Sequence, residues 1–214
     1  MKVAQTQLHW ERRAIIARFM AIDVRTLTGH EVADRLPDLA ALRIAVFAAF
    51  PYLYDGDEAY EAEYVREFAA EPGSVLVAAL DDGRVVGAAT ASPMWAQMAG
   101  FRAPFEDAGL DTRKLFYFGE SVLLPEYRGQ GIGHAFFDHR EAAARAAGAD
   151  AACFAAVIRP DDHPARPAGY RPLDAFWRKR GYEKAPGLVT ELAWKEHGEA
   201  GESPKPMQYW VRQF

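Results

Sequence analysis

Val122-Leu123-Leu124-Pro125-Glu126-Tyr127-Arg128-Gly129-Gln130-Gly131-Ile132-Gly133-His134 reads as the end of a strand, a tight turn and the start of a helix. Three alternate glycines permit positive φ and let a ligand come close to the main chain. A helix that begins near Gly131 points its unbonded N–H groups into the turn, and its positive dipole end makes an anion site there. A pyrophosphate suits that site.

Two common phosphate motifs do not fit. A P-loop needs Gly-Lys followed by Ser or Thr, and the chain has no Gly-Lys pair. A dinucleotide fingerprint G-x-G-x-x-G fails in both registers, ending on His134 or on Phe136. A nucleotide-binding oxidoreductase would in addition require NAD(H) to bind.

Outward from this corner, Leu115–Leu124 is an aromatic and aliphatic strand, and Gly131–Ala147 is an alanine-rich helix with Gly148 as its C-cap. Asp150–Ile158 reads as a strand, and a helix around Pro172–Arg180 follows a proline-containing loop. Leu188–Trp194 and Met207–Arg212 read as the last two strands. Upstream, Phe19–Leu27 is a first strand and Asp34–Phe50 a helix of apolar periodicity. A second helix starts at Asp55, with Glu58 completing a capping box, and stops before Pro72. Ser74–Leu80 and Arg84–Ala91 form a hairpin across Asp81-Asp82-Gly83, and Pro93–Leu110 gives a short helix plus loop. The order β α α β β (α) β α β α β β predicts an α/β mixed sheet with helices on both faces.

The turn matches the acyl-CoA signature R/Q-x-x-G-x-G/A of the GNAT superfamily (GCN5-related N-acetyltransferases) as Arg128-Gly129-Gln130-Gly131-Ile132-Gly133, and the element order also resembles that fold. On this resemblance residues 19–214 form one acetyltransferase domain behind an N-terminal extension, residues 1–18. It implies a central, mostly antiparallel sheet, splayed at the cofactor strand. It also implies that the backbone of Arg128, Gly129, Gln130, Gly131, Ile132, Gly133 and His134 holds the diphosphate of acetyl-CoA. Val122, Leu123 and Leu124 would pair with the pantetheine arm. The activity implied is N-acetyl transfer from acetyl-CoA, as cosubstrate, to a primary amine of a small molecule, peptide or protein. Attack is direct, in a ternary complex. The alternative is a CoA-binding regulatory or interaction module on a degenerate scaffold.

Glu120 is the candidate base. Strand alternation sets it among Phe116, Phe118 and Val122, where burial would raise its pKa. The family's glutamate commonly falls one residue earlier, and the β-bulge usual there would restore the facing. Trp177 stands where the family has an acidic tyrosine. An indole N–H is not an acid, so Tyr170 becomes the candidate acid, with solvent as its substitute. Tyr52 and Tyr54, in an aromatic and acidic loop between the first two helices, are candidates for binding a cationic acceptor.

Composition narrows the field further. Of 214 residues, 50% are hydrophobic and 26% charged, the balance of a globular chain, and the net charge of −5 argues against a nucleic-acid binder. No apolar run reaches membrane-spanning length. Cys153 is the only cysteine, which excludes an intrachain disulfide, and it reads as a small apolar strand residue. With no signal-like opening, a reducing cytoplasm is the expected location. His134 and His139 do not share a helix face, so no metal site is expected. Met207, Tyr209, Trp210 and Val211 offer a homodimer seam.

Overall fold

The computed structural model describes residues 22–214. The expected extension at residues 1–18 and the start of the first strand at Phe19 lie outside the described residues. The strands are β1 (Asp23–Thr26), β2 (Val75–Asp81), β3 (Arg84–Pro93), β4 (Leu115–Leu123), β5 (Ala151–Val157), β6 (Glu183–Trp194) and β7 (Ser203–Gln213). They form one sheet in the order β1-β2-β3-β4-β5-β7-β6, antiparallel throughout except for β4 and β5, which run parallel. The helices are α1 (Gly29–Asp34), α2 (Leu36–Phe47), α3 (Glu58–Ala70), α4 (Ala99–Asp107), α5 (Ile132–Ala146) and α6 (Asp174–Lys179). None of the described helices is long and apolar enough to cross a membrane.

Alternation along the strands sorts the core into two faces. On one face Leu39 and Leu42 of α2 and Val65 of α3 pack on Leu76, Ala78, Ala88 and Val122, while Phe101 and Phe105 of α4 pack on Tyr117, Met207 and Tyr209. On the other, Ile132 and Phe136 of α5 cover Val77, Ala79, Val86 and Ala89, and Phe137 joins Phe116, Phe118, Phe154 and Trp210. Pro104 inside α4 has no N–H for the Gly100 carbonyl, and the Thr190 hydroxyl of β6 donates to it instead at 2.9 Å.

Several expectations change. The helix read from Asp34 to Phe50 is α2 and runs from Leu36 to Phe47, and a short helix that was not expected, α1, precedes it from Gly29, with Arg35 between the two. Glu31 marks that start: its carboxylate accepts from the Thr28 N–H at 2.9 Å and from the Thr28 hydroxyl at 2.8 Å. The cap of α3 is Asp57, which accepts from the Tyr60 N–H at 2.9 Å, and not Asp55, which pairs with Lys195 at 2.7 Å. β7 begins at Ser203 rather than at the expected Met207, and Pro204 and Pro206 lie within it, beyond the point where β5 stops pairing at Met207. Proline is tolerated where one edge of a strand lacks a ladder partner. The expected dimer seam is overturned. β7 sits between β5 and β6, and Met207, Tyr209 and Trp210 are buried in the chain's own core.

The main irregularity lies between β3 and β4. Ala89 pairs with Ser121 and Ala91 with Phe118, so Thr90 alone opposes both Gly119 and Glu120. This is a β-bulge. It reverses the facing of everything after it: Phe116 and Phe118 face α5, whereas Glu120 and Val122 face α2 and α3. The expectation that Glu120 shares a face with Phe116 and Phe118 is therefore corrected. Close approach of the two strands here requires a glycine, since a Cβ on Gly119 would lie 2.5 Å from Thr90 Oγ1. Gly119→Ala should destabilise the fold by about 1–3 kcal/mol through this overlap, read as a lowered urea midpoint at unchanged slope.

Candidate active site

β4 ends at Leu123, and the Leu124 N–H donates to the Val86 carbonyl at 3.0 Å. Pro125–Tyr127 then makes one 3-10 turn, fastened to the β2–β3 hairpin by the Tyr127 hydroxyl, which donates to Asp81 at 2.6 Å. Gly129 and Gly131 follow with φ of 76° and 85°. The Arg128 N–H is bonded to the Pro125 carbonyl at 3.2 Å, and the N–H groups of His134 and Ala135 are bonded to the Gly131 carbonyl. The N–H groups of Gly131, Ile132 and Gly133 have no partner among the described residues. They sit at the positive end of a 15-residue helix that no side chain caps. The corner is open, since a Cβ at Gly129 or at Gly131 would meet nothing within 4 Å.

Beside this corner the sheet parts. β4 pairs with β5 only from Leu115 to Tyr117, after which β5 continues against β7 alone. The edge of β4 from Phe118 to Leu123 that faces β5 has no strand partner there, and the wedge it leaves runs to the glycine corner. Val122 is buried in the core, and Leu123 and Leu124 are partly buried against α5.

Glu120 is on the α2 side of this wedge and pairs with Arg43 of α2. Arg43 is only 9% exposed and pairs also with Glu61 of α3, itself 1% exposed. The Tyr54 hydroxyl donates to Glu61 at 2.6 Å, and the Tyr64 ring lies 4.3 Å from the Arg43 guanidinium. Burial works against the charge on Arg43, but Glu120, Tyr64 and Glu61 more than restore it. Glu120 is thus a paired carboxylate rather than one isolated among apolar side chains.

Tyr52 and Tyr170 share a cleft of about 460 Å³ with Phe50, Trp177, Trp210 and Arg159. Burial, helped by Tyr170 and Glu120, pushes the Tyr52 hydroxyl up to about 12. Burial also raises that of Tyr170, so both stay protonated at neutral pH. Tyr54 turns away from this cleft toward Glu61. The loop that carries these tyrosines is fixed from outside. Arg159 donates to the Pro51 carbonyl at 2.7 Å and the Trp194 indole to the Tyr52 carbonyl at 2.9 Å. The Asp55 N–H donates to Lys195 and the His197 N–H to Leu53, both at 2.9 Å, which ties the loop to the β6–β7 hairpin. Cys153 is fully buried, and burial raises its thiol well above the usual range, as suits an apolar strand residue.

Arg43 is not singled out by the sequence, and Glu61 reads there only as one of the acidic residues beyond the Tyr52–Tyr54 loop, although both carry a signal of burial. Each is a charged residue at a core-facing helical position, beside Leu39 and Leu42 in α2 and Val65 in α3.

A strand that parts from its parallel neighbour and feeds an open amide corner at a helix start is an acyltransferase frame, and the comparisons agree. The profile of the Acetyltransferase (GNAT) family matches residues 40–182, and the chain belongs to that family. Among solved structures, the ribosomal-protein-alanine N-acetyltransferase from Brucella melitensis is similar with a TM-score of 0.59 at 16% identity, over 90% of this chain and 99% of that one. An aminoglycoside 6'-N-acetyltransferase complexed with coenzyme A gives 0.58 at 16% identity, over 89% and 96%. A GNAT superfamily phosphinothricin acetyltransferase from Sinorhizobium meliloti in complex with acetyl-CoA gives 0.54 at 19%, over 91% and 89%. At such identities these likenesses speak to the fold. No curated protein sequence matches the chain.

Arg43→Met would leave Glu61 and Glu120 buried without their shared cation. A loss of about 3–5 kcal/mol is expected, measured by urea denaturation, and adding Glu61→Gln to that variant should restore part of it.

Proposed function

We propose that the chain transfers an acetyl group from acetyl-CoA to a primary amine, of a small molecule or of a peptide or protein, by direct attack in a ternary complex. The observation that carries this reading is the open corner, with three unbonded amides at the head of α5. A diphosphate suits such a corner, by its geometry and by the helix dipole. Two of the similar structures, the aminoglycoside 6'-N-acetyltransferase and the phosphinothricin acetyltransferase, contain coenzyme A or acetyl-CoA. The amides of Gly131, Ile132 and Gly133 are the ones we assign to the diphosphate, with Gly129 and Gln130 shaping the approach and Arg128 at its rim. The open edge of β4 through Val122, Leu123 and Leu124 would receive the pantetheine arm.

In this reading Glu120 takes the proton that the acceptor ammonium must lose before attack. The amine nitrogen bonds to the thioester carbon, and an N–H of the open β4 edge steadies the oxyanion. The C–S bond then breaks, the thiolate receives a proton from Tyr170 or from solvent, and the surplus proton on the new amide nitrogen returns to Tyr170 or to solvent. Tyr52, in the same cleft as Tyr170, lines the path of the acceptor. Tyr54 supports it indirectly through Glu61. Cys153 takes no part, in keeping with the absence of an acyl-enzyme step.

Thioester consumption measured with acetyl-CoA against polyamines, amino acids and peptides tests the reaction and identifies the acceptor. Glu120→Gln should lower kcat by about a hundredfold or more and leave CoA binding, measured by calorimetry, intact. Unchanged turnover would remove Glu120 from the role of base, and a wild-type chain that binds CoA but consumes no acetyl-CoA would be a binding module. Gly131→Ala should destabilise the fold by about 1–2 kcal/mol, because a side chain at its left-handed φ of 85° is strained with no clash involved, read as a lowered urea midpoint.

A further inference from the structure

Arg140 lies at a core-facing position of α5, one turn beyond Phe136, and is 1% exposed. Its Nε donates to the Phe136 carbonyl at 3.2 Å, and its Nη1 donates to the carbonyls of Thr90 and Glu120, each at 3.3 Å. The guanidinium carbon stands 4.5 Å from the centre of the Phe118 ring and 4.8 Å from that of Phe137. No carboxylate pairs with it among the described residues, for its neighbour Glu141 pairs with Arg180 and Arg212. Burial lowers its pKa to about 10, which still leaves it charged at neutral pH.

A buried cation without a carboxylate is costly, and a methionine would fill the same space without that cost. What the guanidinium adds is a pair of hydrogen bonds to two strands at one point. Thr90 and Glu120 are the residues that face each other across the bulge, where main-chain groups drop out of the ladder. The Glu120 N–H is held by Thr90 Oγ1 at 3.1 Å, and the Glu120 carbonyl by Arg140. Both backbone polar groups of the candidate base therefore end on side chains. The charge lies where β4 changes the face it presents.

We propose that Arg140 is a positioning residue, which clamps the bulge so that the Glu120 carboxylate is presented to the face covered by α2 and α3. The inference rests on the reading of Glu120 as base, and its test separates the two. Arg140→Met and Arg140→Lys are compared with the wild type in steady-state kinetics, in calorimetry with CoA and in amide hydrogen exchange at Glu120. Arg140→Met should lower kcat by about ten- to a hundredfold, since small displacements of a reacting group cost that much. KM for the amine and CoA affinity should not change, and the Glu120 amide should exchange faster. Arg140→Lys, which keeps the charge and can meet one carbonyl at a time, should recover part of both losses. Thr90→Val removes the other half of the clamp and gives the same pattern if Arg140→Met does not fold. Wild-type kcat in a folded Arg140→Met chain, or unchanged exchange at Glu120, overturns the proposal. If the wild type transfers acetyl to no amine, the reading of Glu120 fails, and exchange at Glu120 then decides the clamp by itself.

Discussion

Strand β4 has to satisfy two neighbours that ask opposite things of it. Toward β3 it must stay in ladder contact along its whole length to hold the sheet together. Toward β5 it must let go after Tyr117 to leave a wedge. A regular strand that kept Phe116 and Phe118 in the α5 core would also have turned residue 120 into that core, because side chains alternate with a period of two. One additional residue opposite Thr90 resolves the conflict. The first half of β4 packs against α5 and the second half presents its side chains to α2 and α3, so a core element becomes a site element within a single strand.

The charges around that point follow from the same constraint. Where the strand turns Glu120 toward a buried face, a carboxylate needs a partner, and α2 supplies Arg43 from a position that would ordinarily hold an aliphatic residue. Arg43 in turn is flanked by Glu61, and Tyr54 completes the second carboxylate. Two carboxylates on one guanidinium leave the cluster with one net negative charge, which matches the ammonium that the proposed reaction brings to it. Buried polar groups of this kind are stable only as a complete set, and for that reason the network reaches through α2, α3 and β4 together.

Much of this was legible in the residues because it is local. The path from Val122 to His134 is decided by apolar residues, one proline and three glycines within thirteen positions, and the structure folds it as strand, turn and helix. The hairpin at Asp81-Asp82-Gly83 is equally local. Illegible were the features set by distant partners. Arg140 stands on the apolar stripe of α5 with Phe136 and Ala144, but the carbonyls it meets could be known only once α5 lay across the β3–β4 bulge. The insertion of β7 between β5 and β6 gives Tyr209 and Trp210 their partners inside the chain, and nothing in a run of apolar residues distinguishes a core strand from an interface strand. The short helix α1 was a different kind of miss. Its Thr28-x-x-Glu31 signature stood in the sequence and was passed over for the longer apolar pattern behind it.

The loop bearing Tyr52 and Tyr54 takes its hydrogen bonds from Arg159, Trp194, Lys195 and His197, none of which belongs to β4 or to the glycine corner. The wall that would meet an amine in the proposed reaction is thereby mechanically coupled to the β6–β7 hairpin. Drift in the hairpin around residues 195–202 can reshape that wall while the reaction centre stays as it is. Selectivity and chemistry can evolve at separate addresses in this fold.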